Sequence, residues 1–141
     1  MTLHVEVVVA DRRLWAGDAG MVIAKTLDGD IGLLTDHPPV LGILAEGSVV
    51  RILDPESPEG GAGDAPGGEV TAAVSGGFLS VADNRVSVLA VDAQLGSEVD
   101  TSAARSELES ALSDAGTRPA AEEPSEAKYA RAQLRAAGEQ A

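Results

Sequence analysis

Short apolar runs alternate with turn-forming residues through the first 93 positions, and this pattern constrains the fold more than any other feature. In the first run, Leu3, Val5 and Val7 fall on one face of an extended chain, while His4 and Glu6 fall on the other. This period of two is typical of a half-buried β-strand. Further runs rich in Val, Ile and Leu occupy 21–27, 31–34, 40–45, 49–53, 70–75, 78–82 and 86–91. Turns are expected at 16–18, 28–30, 36–39, 46–48, 76–77 and 83–84.

Many short strands at this spacing, with no helix-length pattern between them, predict an N-terminal antiparallel β-sandwich. They argue against βαβ units and therefore against a dinucleotide-binding fold. Residues 54–69 interrupt the series with five glycines, three prolines, five carboxylates and no basic residue. Such a segment has nothing to bury, so it predicts a flexible acidic loop between two strands.

The period changes after Asp100, which is a candidate helix N-cap, and Gly116 stands where a C-cap glycine is expected. The apolar positions of this helix are Ala104, Leu108, Ala111, Leu112 and Ala115. A linker over 117–124 precedes a second helix, predicted from Ser125 to Ala137, that ends at Gly138. Its thin apolar stripe is made of Ala127, Ala130, Leu134 and Ala137. The fold class is thus mainly β with an α tail, divided into a β-sandwich domain over 1–95 and a two-helix hairpin over 96–141.

Charge and composition exclude several functions. The formal charge is −13, and a phosphate backbone repels such a surface, so nucleic acid is an unexpected partner. Cysteine is absent and there are two histidines, which excludes thiolate catalysis and three-histidine metal sites. No apolar run reaches the roughly 20 residues of a membrane helix, and no signal peptide opens the chain. We expect a soluble cytosolic protein without metal or cofactor.

No catalytic constellation is apparent. Ser75-Gly76-Gly77 lacks the pattern of a nucleophile elbow, and the glycines of 60–68 lack the Lys-Ser/Thr ending of a phosphate loop. Interaction features are clearer, because Asp36-His37-Pro38-Pro39 is a rigid turn. On the second helix, Lys128, Arg131 and Arg135 lie three and four residues apart, and this basic face would suit an acidic partner.

Taken in order, the motifs resemble those of the epsilon subunit of bacterial F-type ATP synthase, in a form with a short C-terminal tail. The similarity begins at Val5-Glu6-Val7-Val8 and Leu14-Trp15-Ala16-Gly17-Asp18. It is strongest over residues 29–39, where a glycine–acid–apolar–glycine strand is followed by a His-x-Pro turn. Residues 74–81 and 86–90 continue it, so it covers nearly the whole chain apart from the acidic loop.

The resemblance implies a non-catalytic subunit of the central rotor stalk, on the cytoplasmic face of the cell membrane and peripheral to it through the complex. Its β-sandwich would bind the gamma subunit and the c-ring, and so couple proton transport to ATP synthesis. By position, Asp30, His37 and Pro39 would lie on the edge facing gamma and the c-ring. The C-terminal helices of this family can extend and block ATP hydrolysis, so Lys128, Arg131 and Arg135 would then face acidic residues of a beta subunit.

One departure concerns nucleotide. Relatives that bind ATP on the hairpin begin the first helix with an acid, followed three residues later by arginine, and here these positions hold Asp100 and Ala103. The short second helix also implies a shorter reach into the catalytic head. Two alternatives stay open: a nucleotide-sensing module that uses Arg105 with the basic face, and a small β-sandwich hydrolase or lyase that uses His37.

Overall fold

The computed structural model describes residues 3–53, 69–115 and 125–138. Ten strands lie in this part of the chain, followed by a short 3-10 turn at Gly96–Glu98 and two helices. The strands are β1 Leu3–Val9, β2 Arg12–Ala19, β3 Met21–Thr26, β4 Gly29–Leu33, β5 Val40–Leu44, β6 Ser48–Leu53, β7 Glu69–Val74, β8 Gly77–Ala82, β9 Arg85–Ala90 and β10 Ala93–Leu95. The helices are α1 Thr101–Ala115 and α2 Ser125–Ala136.

The strands pair in the order β10-β7-β6-β3-β5-β8-β9-β1-β2, with β4 added against β3. The result is the predicted β-sandwich followed by two helices. The core lies between its layers, and alternate strand residues supply it, as the period of two predicted: Leu3, Val5 and Val7 are fully buried. Most other core residues are aliphatic: Val22, Leu33, Val50, Ile52, Val70, Val74, Leu79, Val81, Val86, Val88 and Leu95.

Two details of the sheet differ from the sequence prediction. Residues 16–18 are not a turn but lie inside β2, where Gly17 is opposite Val5 of β1. Gly17 is buried and its neighbours Ala16 and Asp18 are half-buried, so a composition that is typical of a turn occurs here in a strand. The other difference is that β1 pairs with β9 in parallel rather than antiparallel. This is possible because most of the sandwich lies between β1 and β9 along the chain, and parallel strands need a long connection.

The predicted acidic loop falls almost entirely outside the described residues, since 54–68 are not described. Its last residue, Glu69, is instead the first residue of β7 and pairs with Leu53. The Arg51 guanidinium donates hydrogen bonds to the Glu69 carboxylate, at 2.5 Å from Nε and 3.2 Å from Nη2. These hydrogen bonds lower the pKa of Glu69. Arg51 and Glu69 thus link β6 to the first residue of β7 on the exposed face.

Helix α1 begins and helix α2 ends at the positions that their capping residues predicted. The Asp100 carboxylate accepts the Ala103 amide at 3.1 Å, which is the expected N-cap contact of α1. After α2, Gly138 has a φ of +90° and its amide donates to the Arg135 carbonyl. The proposed C-cap role of Gly116 falls outside the described residues.

The apolar stripe predicted for α1 is only partly buried. Ala104 is buried and Leu108 and Ala111 are half-buried, but Leu112 is 40% exposed. The reason is that α1 packs on α2 rather than on the sheet. Helix α2 lies between α1 and the strands β6 and β7, and this explains why more of it is buried than predicted. Its buried residues are Ala127, Ala130, Ala132, Leu134 and Ala136.

Candidate functional site

A strip of large apolar side chains lies on the outer face of β5, β8 and β9, and sequence reasoning did not single it out. The strand register places Ile43 opposite Phe78, and Phe78 opposite Leu89. These three side chains are 52%, 52% and 48% exposed, and Leu41, two residues before Ile43, is 75% exposed. We call Leu41, Ile43, Phe78 and Leu89 the outer apolar strip.

Ile43, Phe78 and Leu89 form a continuous row because residues directly opposite on antiparallel strands hold their Cβ atoms roughly 4.5–5.5 Å apart. Two residues further along β8 and β9 the same face is polar, where Ser80 lies opposite Ser87, and on β5 Leu41 lies opposite Ser80 and extends the strip. Contiguous exposed apolar surface of this kind marks an interaction site. The sequence did contain a signal: in Val40–Leu44 both faces carry apolar residues, whereas a half-buried strand should alternate.

The structure places Asp30 and the His37–Pro39 turn at opposite ends of β4. Asp30 is exposed at the beginning of that strand, in register with Lys25. The turn lies beyond its other end, beside the β8–β9 turn. Here Asn84 Oδ1 accepts the Asp36 amide at 2.5 Å, and Asn84 Nδ2 donates to Asp36 Oδ1 at 3.3 Å. The predicted residues therefore do not form one cluster but two separate exposed points.

The turn at residues 36–39 and the neighbouring β8–β9 turn contain residues in the left-handed backbone region. Asp36, Asp83 and Asn84 all have positive φ angles, between +51° and +62°. His37 is half-buried, and its Nδ1 lies 2.7 Å from the Pro38 carbonyl oxygen. This contact orients the imidazole by the backbone rather than by a carboxylate. Among the described residues, no group of three His, Asp or Glu side chains is arranged to hold a metal ion.

The predicted basic face lies on a helix that is docked on the sandwich. Lys128 Nζ is 3.8 Å from Glu46 Oε2 in the β5–β6 turn. Arg131 is half-buried and Arg135 is exposed. Next to Lys128, burial raises the pKa of Tyr129 to about 12, and the carboxylates of Asp92 and Glu107 add to this effect. The Tyr129 hydroxyl therefore stays protonated at neutral pH.

The start of α1 has no arginine where the ATP-binding pattern has one. The Asp100 carboxylate caps the helix by accepting the Ala103 amide, and the Ala103 side chain is an exposed methyl group. Arg105 follows two residues later, and on a helix this spacing places the two side chains on different faces. In the part of the chain that the structure describes, neither α1 nor α2 is long and apolar enough to cross a membrane.

Comparison with protein families gives a consistent result. A family model described as the β-sandwich domain of the ATP synthase delta/epsilon chain matches residues 2–96. An ATP synthase epsilon chain of Thermobifida fusca is 50% identical over 114 residues, which span 80% of this chain and 77% of that protein. The corresponding protein of Streptomyces avermitilis is 45% identical over 113 residues, 79% of this chain and 82% of its own length.

Solved structures share the fold. A chain in the cryo-EM structure of the Euglena gracilis mitochondrial ATP synthase, which contains OSCP, F1 and the c-ring, aligns with a TM-score of 0.66. The alignment covers 97% of this chain and 79% of that chain, at 19% sequence identity. A chain in the central stalk and c-ring structure of the Tetrahymena thermophila mitochondrial ATP synthase aligns with a TM-score of 0.50 at 15% identity.

Proposed function

The chain belongs to the epsilon chain family of F-type ATP synthase, a non-catalytic subunit of that complex, and we propose that it joins the gamma subunit to the c-ring. In this role it would turn with the rotor and transmit torque while protons pass and ATP is made. It would lie on the cytoplasmic face of the membrane, held there by its partners. The observation that carries the proposal is the outer apolar strip. No other segment in the described part of the chain covers it.

The strip supplies the binding energy that such a role requires. Fully burying a Leu, Ile or Phe side chain contributes about 1.5–3 kcal/mol, so covering the exposed halves of Ile43, Phe78 and Leu89 would contribute about 1 kcal/mol each. Strands on a closed core already fix the backbone of these residues, so binding does not have to order it. We assign the strip to gamma, because a coupling subunit must resist rotation relative to the shaft.

The test of this proposal is titration of the purified chain with the gamma subunit from the same organism. We expect a one-to-one complex with a dissociation constant in the micromolar range or tighter. A c-ring freed of its other subunits, when added to this complex, should stay bound to it. Absence of a complex with gamma at tens of micromolar would contradict the proposal.

The two exposed points at the ends of β4 are proposed as further contacts. Asp30 would meet polar or basic residues in the loops of the c-ring, and the His37–Pro39 turn would meet gamma. Because they lie at opposite ends of β4, the β-sandwich can contact two partners at the same time. Asp30 is exposed and can offer its carboxylate without any rearrangement of the strand.

Replacing Asp30 with asparagine is expected to weaken retention of the c-ring about threefold at low salt, because an exposed ion pair contributes at most about 1 kcal/mol. Affinity for gamma alone should not change. The matched control is Asp28→Asn, which removes an exposed carboxylate from the neighbouring turn. Equal losses for the two variants would show that total charge, and not Asp30, determines c-ring binding.

We also propose that the tail restrains ATP hydrolysis when α2 leaves the sandwich and Lys128, Arg131 and Arg135 meet acidic residues of a beta subunit. Truncation after Gly116 should then raise the ATP hydrolysis rate of the assembled head, and more so at low salt, where charge pairs are less screened. A full-length variant with glutamine at the three basic positions should reproduce the rise. If both proteins hydrolyse ATP at the parent rate, the tail is not a brake.

A further inference from the structure

The β8–β9 turn carries a side chain that the turn itself does not need. Asp83 and Asn84 form a two-residue connection between Ala82 and Arg85, which pair across the two strands. Both turn residues have positive φ angles, +51° and +59°. Turns of this type favour glycine at the second position, because glycine adopts a positive φ without steric cost. The side chain of Asn84 is therefore to be explained by contacts outside the hairpin.

Asn84 makes such contacts with two other segments. Its side-chain amide binds Asp36 with both ends: Oδ1 accepts the Asp36 backbone amide at 2.5 Å, and Nδ2 donates to Asp36 Oδ1 at 3.3 Å. Its backbone carbonyl accepts the amide of His4, in β1, at 2.8 Å. Asn84 is half-buried, whereas its neighbour Asp83 is exposed. One residue thus joins the β8–β9 turn to β1 and to the β4–β5 connection, 48 residues earlier in the chain.

The His37–Pro39 turn directly follows the residue that Asn84 binds. Asp36 has a φ of +62°, a conformation that is uncommon outside glycine and that Asp and Asn tolerate better than most residues. The two prolines of the turn have no backbone N–H group, so they cannot fix it by donating hydrogen bonds. The backbone conformation at Asp36 determines where the turn points, and Asn84 holds that conformation from the neighbouring hairpin.

We infer that Asn84 is a positioning residue for the contact with gamma, because it fixes the conformation in which the His37–Pro39 turn is presented. The inference rests on the proposed function, which assigns this turn to gamma. A turn that is ordered before binding loses less conformational entropy when the complex forms, and this raises affinity. Without the Asn84 side chain, β8 and β9 would stay paired but the turn would be held less firmly. Affinity for gamma would then fall while the sandwich keeps its stability.

Asn84→Gly removes the side chain and leaves a residue that suits the hairpin. In NMR hydrogen exchange on the full chain, the Asp36 amide should exchange about fivefold to tenfold faster than in the parent, because it loses its acceptor. Affinity for gamma should fall about fivefold, and the midpoint of thermal unfolding should not change. Asp83→Gly is the matched control, since it places glycine at the other positive-φ position of the same turn. Its Asp36 exchange and its affinity for gamma should equal those of the parent.

A reciprocal exchange of the two side chains separates positioning from a general effect of substitution. Asn84→Asp places a second carboxylate beside that of Asp36, and the two like charges repel, so affinity for gamma should fall at least about fivefold. Adding Asp36→Asn restores one amide and one carboxylate with donor and acceptor exchanged, and both residue types tolerate a positive φ. The double variant should bind gamma within about twofold of the parent.

The inference is overturned if Asn84→Gly binds gamma as tightly as the parent, or if the double variant is as weak as Asn84→Asp alone. It is also overturned if affinity and the unfolding midpoint of Asn84→Gly fall together, since Asn84 would then only stabilise the fold. A parent chain that does not bind gamma contradicts the proposed function itself. In that case faster Asp36 exchange in Asn84→Gly supports the hold of Asn84 on the turn, and unchanged exchange overturns it.

Discussion

Phe78→Glu is expected to weaken binding to the gamma subunit about 100-fold, close to 2.7 kcal/mol. Phe78 lies in the middle of the outer apolar strip, between Ile43 and Leu89 in the strand register. Binding would bury a carboxylate among apolar groups with no cation to pair with it, which is costly. Because the side chain is 52% exposed on the free chain, the folded sandwich should lose little stability.

Leu112→Glu is the control for this prediction. Leu112 is also a partly exposed apolar residue, at 40%, but it lies on α1, away from the strip. Affinity for gamma should stay within about twofold of the parent, because surface substitutions outside an interface have small effects. Titration calorimetry of parent, Phe78→Glu and Leu112→Glu makes the comparison. Equal affinity of all three for gamma would show that the strip is not the docking surface.

Leu79→Ala is expected to destabilise the chain by about 3 kcal/mol, the usual cost of removing most of a buried leucine. Leu79 is fully buried in β8, opposite Gly42 of β5 and Val88 of β9. Strands on both sides restrict collapse of the cavity, so the loss should not be relieved by rearrangement. The midpoint of thermal unfolding should fall by roughly 10–20 °C, since each kcal/mol shifts a domain of this size by several degrees.

Phe78→Ala supplies the matched comparison, because Phe78 and Leu79 are neighbours that point to opposite faces of one strand. Phe78→Ala should weaken gamma binding while changing unfolding by less than about 1 kcal/mol. Leu79→Ala should lower the stability of the protein but leave its affinity for gamma unchanged, under conditions in which the variant is folded. Denaturant unfolding and calorimetry on both variants separate the two effects, and similar unfolding losses for both would mean that the outer face is not solvent-exposed.

Local patterns in the sequence predicted the elements whose formation depends on residues close together in the chain. Alternation identified the buried face of β1, and capping residues identified the start of α1 at Asp100 and the end of α2 near Gly138. The parallel pairing of β1 with β9 involves strands that are far apart in sequence, and no local pattern encodes it. The same holds for Asp30 and His37, whose separation depends on the length and direction of β4.

The outer apolar strip was missed for a different reason. The apolar runs of β5 and β8 predict strands but do not show which of their residues face the core, and Ile43 and Phe78 face away from it. A strand with apolar residues on both faces does not show which face is buried. Only the pairing of neighbouring strands, which brings these residues together, reveals an exposed apolar surface. The close approach of α2 to the sandwich was likewise not predictable. A Cβ atom on Gly47 or Gly96 would collide with the α2 backbone, but a glycine in a turn is expected whether or not a helix packs over it.

A cryo-EM structure of this chain assembled with its gamma subunit and c-ring is the most direct measurement. We predict that gamma covers Ile43, Phe78 and Leu89, and that Asp30 faces the loops of the c-ring. An assembled complex in which the outer apolar strip is open to solvent would contradict the proposed function, whatever else the chain contacts.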